Sequence, residues 1–467
     1  MMIVRCLLVF WLVLTAAPGG AERLAGKVVT LDCVASPQHS YTLYLPSSYA
    51  PTRRWPLLLA FDPSAVGERP VNAFREAAER YGYIVAASNE SRNYAPWADN
   101  LVAAAAVWQD VSTRFSVEPE RVYTTGFSGG ARMALEVALQ TEAVAGVFVH
   151  GGGFREREQL ELELPFVLVG AAGEVDMNLR EIEQIHDSLV ARGLPSRRLI
   201  FEGGHRWAPA ETIERGLAWF ELQALQRGDA TRGSEWLGDQ FELALREARS
   251  FGDSYAALLE YEQLLRDFEG LVALEPTMAE RRRLGALAST RRQRKAVEKR
   301  QRLEDRRRQE LATLMKQVER SGDDDLAQRA AFRRLEVKLK AIAAHQVGMA
   351  RRLLLFVSTV GYEWAEVASN EERWRKAESF LRVALLAAPE EAGLHFRLAE
   401  CYAQQQKMPA AWAALRAAVD VGFDSVERLA ASEALRSWHE NESYISILQQ
   451  LQEHQGDATD SSSQPPN

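Results

Sequence analysis

Cysteine is nearly missing from this chain of 467 residues, which contains only three. Cys6 lies near the N-terminus, and Cys33 and Cys401 are separated by most of the sequence. Neither of these two has a histidine or a second cysteine at the spacing of metal ligands. The sequence therefore argues against a disulfide framework, and it predicts neither a zinc site nor any other metal or cofactor.

Long apolar runs are also missing, with one short exception at the N-terminus. There, Arg5 precedes an apolar stretch over residues 7–14, and the small residues Gly19 and Ala21 follow. A membrane-spanning helix needs about twenty apolar residues, whereas this order of basic, apolar and small residues is typical of an export signal. We therefore predict a signal peptide over residues 1–21, with an uncleaved membrane anchor as the alternative. The mature protein is then periplasmic or secreted, with no stable membrane span.

An excess of positive charge is the third feature that the sequence lacks. Its 56 lysines and arginines face 64 aspartates and glutamates, and the net charge is -8. This balance argues against nucleic acid as a partner. Residues 281–340 are dense in arginine, but glutamates are interleaved there, so we favour a solvated long helix or helical hairpin over a nucleic-acid-binding segment. The length and the 47% hydrophobic content predict a globular protein of two or three domains.

The sequence does contain a glycine-rich motif typical of a catalytic nucleophile, Gly126-Phe127-Ser128-Gly129-Gly130. A run of β-branched and aromatic residues precedes it, and a run of helix-forming residues follows. This is the context of a nucleophile elbow, a sharp turn that holds a serine clear of a sheet. Glycine avoids the clash that a Cβ would cause in such a turn. The helix that begins after Ser128 favours the oxyanion of acyl transfer, with the Gly129 N–H as first donor.

A serine nucleophile needs a base and an acid, and in hydrolases of this architecture they follow it in the order acid, then histidine. After the strand-like residues 165–170, the loop offers Glu174 and Asp176. We favour Asp176, since Glu174 has a longer side chain and starts closer to the strand end. After the strand-like residues 199–201, His205 lies in a glycine-flanked loop, and it alone of the eight histidines has the required position.

These residues resemble the α/β-hydrolase superfamily, in particular secreted esterases related to polyhydroxyalkanoate depolymerases and feruloyl esterases. The resemblance extends from about residue 41 to residue 222 and is most specific at the elbow. It implies a Ser-Asp-His triad of Ser128, Asp176 and His205 that acts on a small-molecule or polymeric ester.

The chain departs from this family at the loop that follows the third strand. Many relatives have His-Gly there, whereas this sequence has Asp62-Pro63. Because proline has no N–H to donate, the second oxyanion donor falls to the backbone of Ser64 or, as the less favoured choice, of Asp62. A buried Asp62 that orients the loop is the other interpretation.

Alternating strand-like and helix-like segments predict a doubly wound, mostly parallel sheet with ligands at the carboxyl ends of its strands. The predicted strands cover residues 57–61, 83–87, 122–125, 144–149, 166–169 and 198–201, and the predicted helices cover residues 72–81, 98–115, 179–192 and 209–225. A polar and aromatic loop follows the second of these strands. We predict that its Tyr94 and Trp97 contact the substrate, with an ordinary surface loop as the alternative.

Beyond residue 225 the strand signals vanish, and a repeat emerges near the end of the chain. At an offset of 34 residues, Ala377, Leu381 and Ala384 align with small and large apolar counterparts in the second copy. This is the period of tetratricopeptide helix pairs, in which alanines permit close helix packing. Residues 358–425 therefore resemble two tetratricopeptide repeats, with residues 426–451 as a capping helix pair and generic helical hairpins as the alternative.

Taken together, the sequence predicts a signal peptide, an α/β-hydrolase domain, a charged helical region, a helical-repeat domain and a disordered tail. The predicted boundaries are 1–21, 22–228, 229–357, 358–455 and 456–467. Two functions compete. One is an exported serine hydrolase that cleaves carboxylic esters, with peptides as less favoured substrates and with repeats that bind a protein partner. The other is a non-catalytic hydrolase-fold scaffold that binds proteins through the repeats, since a fold alone does not determine function.

Overall fold

A single sheet dominates the N-terminal half of the computed structural model, which describes residues 21–230, 232–321, 325–344 and 347–461. Its strands are β1 Val28–Cys33, β2 Ser36–Tyr44, β3 Trp55–Phe61, β4 Ile84–Ser88, β5 Val117–Phe127, β6 Val144–His150, β7 Val167–Gly173 and β8 Ser196–Phe201. The order across the sheet is β1-β2-β4-β3-β5-β6-β7-β8. β2 pairs antiparallel with β1 and β4, and every pair from β4 to β8 is parallel. The loops after β3, β5, β7 and β8 therefore open at one edge.

Helices cover both faces of this sheet. They are α1 Glu68–Tyr81, α2 Trp97–Arg114, α3 Gly129–Leu139, α4 Leu179–Ala191 and α5 Ala210–Arg227. α1 and α5 share one apolar core with the strands, and Phe74 and Phe220 are fully buried in it. α2 contacts α3, and Arg132 of α3 donates to Glu181 of α4 at 3.1 Å. The fold is thus the doubly wound α/β-hydrolase architecture that the sequence predicted.

Three further helices pack in the same unit as the sheet: α6 Ser234–Ser250, α7 Tyr255–Asp267 and α8 Glu275–Ala286. The buried Asp267 of α7 accepts hydrogen bonds from Arg197 Nη1 of β8 at 2.8 Å and from Trp219 Nε1 of α5 at 2.7 Å. Residues 229–294, which the sequence assigned to a charged helical region, accordingly contribute to the sheet-containing unit.

The second compact unit is helical and consists of Val175–Arg180 and the chain from Lys295 onward. Its main helices are the greater part of α9 Ala288–Ser321, then α10 Asp325–Ala343, α11 Val347–Asn370, α12 Trp374–Ala387, α13 Ala392–Gln404, α14 Met408–Asp420, α15 Val426–Ala431 and α16 Glu442–Ser461. Leu311, Leu335 and Leu353 from α9, α10 and α11 are all buried in one core. The charged region thus forms long helices whose apolar side is packed.

The predicted period is visible in the helices α12 and α14, which begin 34 residues apart at Trp374 and Met408. Ala377 and Ala411 are both fully buried at equivalent positions. The Phe396 ring of α13 stacks on Phe423 with ring centroids 4.5 Å apart. Helix pairs thus recur with this period, while the assignment to the tetratricopeptide family and the role of the pairs in binding a protein stay predictions.

The structure describes little of the predicted signal peptide and half of the predicted C-terminal tail. The predicted signal peptide lies outside the described residues except for Ala21. At the other end, α16 continues to Ser461, so residues 456–461 are helical where a disordered tail was predicted, and residues 462–467 are outside the described part. Among the described residues, no helix combines the length of a bilayer span with the apolar character that it requires.

Candidate active site

The predicted elbow is a strained turn between β5 and α3. Ser128 has a φ of 54°, in the left-handed region that residues with a Cβ rarely adopt. A Cβ on Gly126 would lie 2.1 Å from Gly130 O, and a Cβ on Gly130 would lie 2.0 Å from Phe61 O. The steric reason predicted for these two glycines is therefore confirmed. The Ser128 N–H donates to His150 O at 2.9 Å, which holds the turn against β6.

The histidine loop after β8 brings an imidazole to this serine. His205 Nε2 lies 2.9 Å from Ser128 Oγ, within hydrogen-bond distance, although 77 residues separate the two in sequence. The Phe127 ring packs against the His205 ring with centroids 4.6 Å apart, which limits how the imidazole can rotate. The serine and histidine that the sequence singled out are thus in contact.

The acid loop after β7 runs close to the histidine loop at its start. A Cβ on Gly173 would lie 2.3 Å from Gly203 O, and Glu174 N–H donates to Phe201 O at 2.9 Å. The two candidate acids differ in burial, because Asp176 has 0% exposure whereas Glu174 is exposed. Asp176 Oδ1 accepts the Asn178 N–H at 2.7 Å.

The loop after β3 is organised by the carboxylate of Asp62, which is 1% exposed. Asp62 Oδ1 accepts the Ser64 N–H at 2.9 Å and the Arg69 guanidinium at 3.5 Å. Asp62 Oδ2 accepts Trp207 Nε1 at 3.1 Å, and Trp207 lies two residues after His205. Asp62 therefore links the candidate oxyanion loop to the histidine loop, as the interpretation of Asp62 as an orienting residue predicted.

A cavity of about 220 Å³ lies beside the elbow, on the side of Gly129. The predicted substrate contacts Tyr94 and Trp97 both line it, and the Arg155 guanidinium lies 5.0 Å from the centre of the Trp97 ring. Tyr94 has a φ of 66° and is 43% exposed. The loop thus borders the site, and contact of these two rings with a substrate stays a prediction.

Sequence reasoning missed two side chains of this region, Trp207 and Asn93. Trp207 stands two residues after the predicted base, and Asn93 stands next to Tyr94 in the loop already singled out. Neither belongs to a motif, and the Asp62–Trp207 bond joins residues 145 positions apart. Only the folded arrangement identifies their roles.

Comparison with known proteins adds no family assignment. No protein-family model and no functionally curated protein matches the sequence. Among solved structures, S-formylglutathione hydrolase from Staphylococcus aureus has a TM-score of 0.34 and 15% identity, covering 41% of this chain and 97% of its own. Est1E from Butyrivibrio proteoclasticus has a TM-score of 0.33 and 12% identity, with coverages of 41% and 97%. An esterase from Thermogutta terrifontis has a TM-score of 0.33 and 15% identity, with coverages of 46% and 96%.

Proposed function

We propose that this protein is an exported serine hydrolase that cleaves carboxylic esters. The observation that carries the proposal is the 2.9 Å contact between Ser128 Oγ and His205 Nε2 at the end of a strained strand-to-helix turn. Such strain persists where the surrounding structure imposes it, and it clusters at active sites. The signal peptide predicted over residues 1–21 supports export.

The chemistry follows from what each group can donate or accept. Ser128 Oγ adds to the ester carbonyl while His205 Nε2 takes its proton, and the carbonyl oxygen becomes an oxyanion. The Gly129 N–H, as the first residue of α3, has no intrahelical acceptor and is available to this oxygen. The tetrahedral intermediate collapses, and His205 returns the proton to the leaving alcohol. Water then adds to the acyl-enzyme by the same steps, releasing the acid and restoring Ser128.

Asp176 is the residue we assign to orient the imidazole. Its full burial and its place three residues after β7 support this choice over the exposed Glu174. A buried carboxylate that stabilises the imidazolium is worth about 10⁴-fold in kcat in hydrolases of this kind. We expect Asp176→Asn to lose activity on that scale and Glu174→Gln to lose less than about three-fold.

A fluorophosphonate probe tests the proposal on the mature full-length protein. Labelling is expected for the wild-type protein and for Ser250→Ala, a surface control, and it should disappear in Ser128→Ala. Hydrolysis of p-nitrophenyl acetate should fall by at least about 10⁴-fold in Ser128→Ala. The matching p-nitroanilide, turned over more slowly, separates ester from amide preference. A folded wild-type protein with neither labelling nor turnover would refute catalysis and leave the scaffold function.

A further inference from the structure

The loop after β3 leaves a second oxyanion donor unassigned. Pro63 has no N–H, and the Ser64 N–H donates to Asp62 Oδ1 at 2.9 Å. Two of the three residues of this loop therefore offer no free N–H to a reacting oxygen. A single donor from Gly129 is an incomplete oxyanion hole, because the tetrahedral intermediate carries a full negative charge in a site of low dielectric constant.

The side chain of Asn93 lies directly against the backbone of Gly129. An ideal Cβ on Gly129 would stand 1.8 Å from Asn93 Oδ1 and 3.2 Å from Asn93 Nδ2, so the amide is packed directly on the Gly129 backbone. The Asn93 N–H donates to Pro63 O at 2.9 Å, which anchors the residue on the oxyanion loop. Asn93 thus connects the elbow with that loop, and it lines the cavity of about 220 Å³ together with Gly129 and Gly130.

We propose that the side-chain amide of Asn93 donates the second hydrogen bond to the oxyanion, beside the Gly129 N–H. This inference rests on the proposed function. Among the described residues, no hydrogen bond engages the Asn93 side chain. Rotation about its Cβ–Cγ bond exchanges Oδ1 and Nδ2, and a negative oxygen selects the orientation that presents the NH₂ group. Asparagine amides serve this purpose in other hydrolases and contribute most in the transition state.

The same packing explains why position 129 holds glycine. The elbow turn itself requires glycine at 126 and 130, where a Cβ would strike backbone atoms, whereas at 129 the three nearest atoms all belong to the Asn93 side chain. Gly129→Ala should therefore displace the Asn93 amide and lower kcat. In an Asn93→Gly background the obstacle is gone, so the same alanine should have little further effect. Such strong non-additivity is expected only of two residues that share one site.

The decisive experiment measures turnover of p-nitrophenyl acetate and inhibition by an alkyl trifluoromethyl ketone, whose carbonyl forms a charged tetrahedral adduct with the serine. We expect Asn93→Ala and the isosteric Asn93→Asp each to lower kcat by about 10²- to 10³-fold with little change in KM. The inhibition constant should rise by the same factor, because the inhibitor resembles the transition state. Asn72→Ala, an exposed asparagine of α1, is the matched control and should resemble the wild type.

The possible outcomes separate this inference from the proposed function. If Ser128→Ala is inactive but both Asn93 variants stay within about three-fold of the wild type, Asn93 is not the donor while the hydrolase stands. A fall in kcat without weaker ketone binding also overturns the inference, since it indicates a packing defect. If the wild-type protein has no turnover and no fluorophosphonate labelling, the proposed function itself fails. The aspartate variant keeps the asparagine shape, so it remains informative if the alanine variant does not fold.

Discussion

His150, at the end of β6, is a buried histidine. It has 0% exposure, and among the described residues neither ring nitrogen has a hydrogen-bond partner. Its ring lies against aromatic rings, with centroids 4.2 Å from Phe148 and 5.0 Å from Trp207. Burial lowers the pKa of His150 from 6.5 to about 3. The folded state thus keeps this imidazole neutral, whereas the unfolded chain protonates it as the pH falls below its ordinary pKa.

The consequence is acid sensitivity with a definite sign. Above pH 6.5, the ordinary pKa of histidine in the unfolded chain, neither state binds the proton. Below that pH, proton binding stabilises the unfolded state, so the unfolding free energy falls by about 1.4 kcal/mol per pH unit until the pH reaches the pKa of the folded state. Phenylalanine suits the aromatic surroundings and does not titrate. Between pH 7 and pH 5, we therefore expect the unfolding free energy of the wild type to fall by about 2 kcal/mol more than that of His150→Phe. Urea titrations at both pH values measure this, with the exposed His439→Gln as control. Equal losses in wild type and variant would contradict the prediction.

Trp207 offers a second test at the scale of single residues. Trp207→Phe keeps an aromatic ring beside Phe127 but removes the N–H donated to Asp62 Oδ2. Asp62 holds the loop after β3 through the Ser64 N–H, and its bond to Trp207 joins that loop to the histidine loop. The variant should therefore separate the two loops. We expect kcat to fall by about ten-fold or more, since small misplacements of reacting groups are costly. Trp374→Phe, in α12, is the control, and unchanged turnover in Trp207→Phe would show that the indole N–H is dispensable.

At the scale of elements, the contact between α11 and α12 depends on a glycine. A Cβ on Gly361 would lie 3.0 Å from Ala384 N and 3.1 Å from Phe380 O, so the two helix backbones approach each other closely there. We expect Gly361→Val to destabilise this helix pair by about 1–3 kcal/mol through overpacking. Hydrogen exchange of the α11 and α12 amides measures the effect. Gly393→Ala in α13, where the nearest atom is 3.6 Å away, should be neutral or stabilising.

Prediction from the sequence succeeded for elements whose pattern is local and strong. β3 and β6 are continuous apolar runs buried on both faces, and each predicted helix from α1 to α5 is present. β1 and β2 were not predicted. Half of β2 is polar and partly exposed, so it lacks the continuous apolar run that marks a buried strand. It is ordered by antiparallel pairing with β1 at the sheet edge, which its composition does not reveal. The serine and histidine were found because chain order identifies them, whereas Asn93 and Trp207 depend on contacts across long stretches of sequence.

At the scale of the whole molecule, the acid-bearing loop is held by the helical unit, to which Val175–Arg180 belongs. Arg308 of α9 donates to Met177 O, and its Nη2 lies 3.3 Å from Asn178 Oδ1. Arg180 makes two hydrogen bonds to Asp305 of the same helix, at 3.2 and 3.3 Å. Met177 is buried in the core that α9, α10 and α11 form. The loop that contains our proposed acid is thus fixed by both backbone and side-chain contacts.

Removing this support should impair catalysis without touching a reacting group. We expect Arg308→Ala to lower kcat by about ten- to one-hundred-fold, because the Asp176 carboxylate loses the contacts that fix its loop. Ester turnover and melting temperature are the measurements, and Arg306→Ala, an exposed neighbour on the same helix, is the control. If Arg308→Ala lowers the melting temperature but leaves kcat unchanged, the loop does not need the helix.

The second unit contains a short segment from the middle of the first unit's sequence, which matters for the choice of truncation sites. The six residues Val175–Arg180, which follow β7 and include the first two residues of α4, belong to a unit whose remaining residues come more than a hundred positions later. A stop codon after residue 228 or 294 would therefore delete most of the scaffold on which the proposed acid is mounted. If the proposed function holds, a chain that lacks these helices should lose ester turnover even where the sheet still folds.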